Sequence, residues 1–144
     1  MRATLHSPTD SAPVQRLDSP ALIEARPPVR RNAVTHRLIA RALLVALAAQ
    51  LFFAGLGVFG LATFQMHIAL GTAIVLGSFA LPILAWRGRL DRRTTRLSWL
   101  LAGLMALQGA LIDVGRVVHV VSAFHPVNAM LLILVTFTLA GSNT

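Results

Sequence analysis

Gln50 stands seventeen residues before His67, and Gln108 stands seventeen residues before His125. Around each pair the chain is otherwise almost wholly Leu, Ala, Val, Ile and Phe. An ionisable ring among hydrocarbon is expensive, so such a group marks a functional site by default. A neutral imidazole offers a nitrogen lone pair to a metal, and a neighbouring amide can orient that ring or a ligand held by it. Two histidines fall short of the three or four protein ligands that zinc takes. No carboxylate at the same depth makes up the number, because Asp113, the nearest, is expected to pair with Arg116. A porphyrin brings four nitrogens of its own, so haem iron needs only two axial imidazoles. The plainer alternatives are a pair of interfacial rings, and glutamines that act only as ties between helices.

The pairs belong to a longer correspondence. Sliding the chain by 58 residues superposes Gln50 on Gln108, Gly57 on Gly115 and His67 on His125, with Gly71 on Ala129 and Ser78 on Thr136. The second half therefore reads as a diverged copy of the first. Both copies start from one side of the membrane, so an axis along the membrane normal should relate them. That axis would bring His67 and His125 to one depth. Gly71 and Ala129, four residues on along the same helical faces, are expected to leave clearance beneath the rings.

The elements that carry these residues follow from composition. Of 144 residues, 56% are hydrophobic and 12% charged, and the mean hydropathy is +0.71. Those values suit a membrane protein. No cysteine is present, which excludes disulfides, iron–sulfur clusters and thiolate zinc sites. From Ala42 to Trp86, 45 residues pass without Asp, Glu, Lys or Arg, enough for two spans of about 20 residues. Two more apolar runs follow. The pattern predicts an all-α fold, a polytopic four-helix bundle of two repeated hairpins, with spans at about 37–59, 64–86, 97–115 and 120–141. Residues 1–34, rich in Pro, Ser and Arg, read as a disordered tail, and 35–141 as the membrane domain.

All 13 cationic side chains are arginine. They cluster around Arg30–Arg41 and in the 87–96 loop, while the opposite loops hold only Arg116. The positive-inside rule places both termini and the central loop in the cytoplasm of a multi-pass plasma-membrane protein. The arginines are read as topology determinants, with anionic lipid as the other reading, and no nucleic-acid partner is expected. His6 and His36 fall in the tail and at the cytoplasmic edge, where neither suggests chemistry. His119 has no counterpart in the first half.

FQMHIALG and AFHPVNAML, each following a glutamine-bearing helix, resemble motifs of a family of small four-helix actinobacterial membrane proteins of uncharacterised function. The layout over about residues 37–141 is also similar to one half of haem A synthase, a pair of four-helix bundles with histidines on the second and fourth helix of each. That resemblance implies a bis-histidine haem b site at His67 and His125. The sequence departs from that enzyme where a glutamate precedes the first histidine by three residues and an arginine follows it. Here those positions are Phe64 and Ile68, and the outer-loop cysteines are absent.

The expectation is a membrane haem protein passing single electrons near the outer leaflet. Gln50, Gln108, Gly71 and Ala129 would complete the cofactor's surroundings, and Arg116 would pair with a propionate. A quinol or another redox membrane protein would complete the electron path, and homo- or hetero-oligomers fit equally. No catalytic constellation is found. The alternatives are a cofactor-free accessory subunit of a larger complex, and a haem-handling enzyme related to haem A synthase.

Overall fold

The computed structural model describes residues 27–142. Four α-helices run through them: α1 (Pro27–Val58), α2 (Gln65–Arg87), α3 (Arg92–Gly115) and α4 (Phe124–Gly141), with a 3-10 turn, His119–Ala123, leading into α4. The apolar segments they form are 29, 23, 24 and 23 residues long, each enough to cross a bilayer. Helix is what such segments must adopt there, since hydrocarbon offers backbone groups no other partner.

Each helix packs on its neighbours in the chain, and α1 closes the ring against α4. The result is an all-α bundle of two hairpins in which α1 and α3 form one diagonal, α2 and α4 the other. Leu43, Leu47, Leu81, Leu101, Leu132 and Leu139 fill its core. Large apolar side chains also cover the outside, among them Phe52, Ile68, Trp86, Trp99 and Phe137, and these suggest a bilayer environment. The repeat is visible in the packing. Ser78 and Thr136 are both wholly buried. Each turns its hydroxyl onto its own helix, Ser78 donating to the Val75 carbonyl and Thr136 to that of Leu132, both at 2.7 Å. A lone hydroxyl in an apolar core finds its acceptor this way.

Three boundaries differ from expectation. Helix α1 starts at Pro27, so residues 27–34 are helical and not part of a disordered tail; the remainder of that expected tail, 1–26, lies outside the described residues. Two prolines suit a first turn, whose N–H groups have no partner within the helix. A stripe at heptad spacing then holds this end inward: Ala33, His36, Ala40, Leu43 and Leu47 are all buried. Helix α3 starts at Arg92, five residues early, because Asp91 caps it. The Asp91 carboxylate accepts from the Arg93 and Thr94 amides at 2.8 and 3.0 Å and from the Thr94 hydroxyl. Three arginines expected in the loop thus sit on the first turns of α3. Residues 120–123 belong to the 3-10 turn, and Pro126 is the third residue of α4, still within the turn that lacks backbone partners.

The Thr94 hydroxyl, then the Thr94 amide, hold the Asp91 carboxyl below its ordinary range. A carboxylate so lowered stabilises the fold fully above its unfolded pKa, and that contribution drains away as pH falls toward the folded value. Asp91→Ala should cost about 1 kcal/mol, the usual worth of an N-cap, when unfolding is followed in detergent at neutral pH. The gap to wild type should close below the carboxylate range; a gap constant down to acid pH would remove the capping account.

His36, expected at an inert edge, is wholly buried. Its Nε2 lies 2.9 Å from Ser98 Oγ, and the Ser98 hydroxyl donates to the Thr94 carbonyl at 2.8 Å. With that proton committed, the ring nitrogen is the donor, and the bond crosses the α1–α3 diagonal. Nearby, Arg41 Nε donates to the Ala140 carbonyl at 3.3 Å, a cation on the last turn of α4 where the helix dipole favours one.

Candidate functional site

The glutamines and histidines gather at the end of the bundle opposite the two arginine clusters. In each hairpin the glutamine reaches across to the histidine's own backbone: Gln50 Nε2 donates to the His67 carbonyl at 2.8 Å, and Gln108 Nε2 to the His125 carbonyl at 3.2 Å. The shared spacing is thus a shared bond. Gly71 serves it in a way the sequence did not suggest. A β-carbon there would lie 2.9 Å from Gln50 Nε2, so the glycine makes room for the amide while it also lines the cavity described below. In the second half Ala129 keeps its methyl, and the bond is longer.

The paired glycines have equivalent duties as well. A β-carbon on Gly57 would meet the Phe64 ring at 2.7 Å, and one on Gly115 would collide with Ser122 Oγ. Phe64 and Ser122 are the residues three before each histidine. Phe64 then packs edge-on against His67, with ring centres 6.1 Å apart at 85°.

The two rings are held differently. His67 Nδ1 lies 3.2 Å from the Gln50 carbonyl. A carbonyl only accepts, so Nδ1 carries the proton and the lone pair is on Nε2. At His125 the neighbour is a side chain: Gln108 Nε2 lies 3.1 Å from His125 Nε2. Asn128 determines that arrangement. It is buried on α4, and its Nδ2 donates to the Leu104 carbonyl at 2.9 Å and to Gln108 Oε1 at 2.6 Å. Sequence reasoning missed Asn128. The signal was its place as the one amide in the apolar run of α4, a turn after His125, where the first half has Leu70.

Both histidines, both glutamines, Gly71 and Ala129 line one cavity of about 350 Å³, completed by Leu, Ile and Met side chains from all four helices. That volume suits a small organic ligand, for which pockets start at about 300 Å³. Gln50 Oε1, His125 Nδ1 and Asn128 Oδ1 are buried without a partner, a cost ordinarily met by an ordered group or water. Arg116 is not on this wall. It caps α3 and, with His119, lines an adjoining hollow that shares Ile112 and His125 with the cavity. Its link to Asp113 is a backbone bond at 3.3 Å, not the ion pair expected. Among the described residues no three His, Cys, Asp or Glu side chains gather as a metal cluster.

Residues 50–115 match the model of a family of unknown function, DUF6220, a stretch that takes in Gln50, His67 and Gln108 and stops short of α4. No curated protein and no solved structure matches the chain. The protein is therefore similar, from the last turns of α1 to the end of α3, to a family whose function is not known.

Proposed function

We propose that the protein is an integral membrane b-type haem protein in which His67 and His125 would hold the haem, and that it passes single electrons. The observation that carries this reading is one apolar cavity with both imidazoles and both glutamines on its wall. The donor set fits haem. Two imidazoles are too few for a bare metal ion and sufficient for an iron already held by a porphyrin.

The chain's own part is to hold and shield. The Gln50 carbonyl keeps the His67 proton on Nδ1, which leaves Nε2 as the ligating nitrogen, as a partner behind a ligating histidine usually does. Leu47, Ile74, Met105 and Leu132 keep water from the macrocycle. Arg116, in the adjoining hollow, would be the cation for its carboxylates, with the His119 ring beside it on the same wall. When bound, the group would supply a one-electron couple, and a resting state held by both His67 and His125 would favour electron transfer over oxygen chemistry. With the arginines in the cytoplasm, the cavity lies near the outer leaflet, so a quinol or an outer redox partner would exchange electrons with it.

The test is the reduced-minus-oxidised spectrum of protein purified in detergent from haem-replete cells. A Soret and an α band at near one haem per chain are expected; protein free of both would end this reading. The glutamine bonds favour one other reading, since they tie each hairpin without any cofactor. A cofactor-free accessory subunit would be colourless and would co-purify with a larger complex.

A further inference from the structure

The hydrogen bonds at His125 form a closed chain of reasoning. The Leu104 carbonyl can only accept, so the Asn128 atom beside it is nitrogen, and that nitrogen also donates to Gln108 Oε1. The His125 carbonyl likewise fixes Gln108 Nε2 as the donor, and the same nitrogen faces His125 Nε2. His125 Nε2 must therefore accept. Its lone pair is covered, and its proton sits on Nδ1, a buried donor with no partner. His67 has the same tautomer, but its Nε2 makes no hydrogen bond among the described residues.

We propose that the two histidines would hold haem unequally: His67 would hold it throughout, whereas the grip of His125, weakened by its Gln108–Asn128 clamp, would give way to a small neutral molecule that competes for the iron. The proposal rests on the haem reading. Ligation by His125 breaks one N–H···N hydrogen bond as its Nε2 lone pair passes to iron. No proton moves, because Nδ1 keeps its own throughout. Asn128 is a positioning residue that acts through Gln108. The polarity and donors beside the iron decide whether such a site takes diatomic ligands or only electrons.

The experiment is carbon monoxide titration of the dithionite-reduced, haem-loaded protein, followed by the Soret shift and by the spin state before addition. Wild type should bind carbon monoxide saturably. Gln108→Leu, which uncovers the lone pair, should be low-spin and bind it about 2- to 10-fold more weakly, the factor one neutral hydrogen bond is worth. Asn128→Ala, which unlocks Gln108 without touching His125, should shift the same way. His125→Ala should bind at least as tightly as wild type. A haem-loaded wild type that is fully low-spin and inert to carbon monoxide overturns this proposal and leaves the haem reading intact. Equal affinity in wild type, Gln108→Leu and Asn128→Ala also overturns it. Protein with no pigment overturns both.

Discussion

His67→Ala should give a bundle that still assembles and carries almost no pigment. Loss of a group behind a ligating histidine typically weakens metal binding about 10- to 100-fold, and loss of the ligand itself should exceed that. The measurement is haem per chain by pyridine haemochrome, on protein whose helical circular dichroism and elution volume match wild type. Assembly should survive because the bond removed, from His67 Nδ1 to the Gln50 backbone carbonyl, lies inside one hairpin, and the bond from the Gln50 side chain to the His67 backbone carbonyl is one alanine retains. Pigment at the wild-type ratio in this variant would show that His67 holds no haem.

Asn128→Leu, which installs what the first half carries at the equivalent position, should destabilise the bundle by about 1–2 kcal/mol. Two considerations set that figure. An orphaned buried acceptor costs about 1–3 kcal/mol in general, whereas interhelical hydrogen bonds in membrane bundles average about 0.6 and reach about 1.7. Here the Leu104 carbonyl lies within α3 and keeps its helical partner, so Gln108 Oε1 is the group newly stranded. Unfolding in mixed detergent measures the loss. In a Gln108→Leu background the same substitution should cost markedly less, because the acceptor is already gone; strictly additive losses would show that the two amides are not coupled.

The sequence made the architecture legible because its two strongest signals are independent of packing detail. Hydropathy set four spans, and the arginine clusters separated the ends. The repeat was legible for a different reason: Gln, His and Gly are rare enough in these helices for their spacing to be informative. It recovered real equivalences, down to the Gln-to-carbonyl bond and the glycine clearances. What spacing did not convey was the purpose of each small residue. Gly71 reads as clearance for a ligand, and spacing alone gave no sign that the Gln50 amide needs that clearance too. His36 was discounted as lying at the cytoplasmic edge, although the heptad stripe from Ala33 to Leu47 already turned it inward. Asn128 was passed over because the slide set it against Leu70, and a repeat directs attention to matches. The asymmetry of the site lies in that mismatch.

The base of the bundle is uneven. Asn32 meets the turn at Gly88, so α1 and α2 run on together, while α4 ends near Arg41, whose Nε is bonded to Ala140. Nine residues separate Asn32 from Arg41, which at about 1.5 Å each leaves α4 short by roughly 13 Å. Among the described residues, α4 thus stops well short of the start of α1, with the Arg41 guanidinium against its last turn. A guanidinium at that level is better placed among headgroups and water than among acyl chains, so Arg41 would tie the end of α4 to the membrane surface.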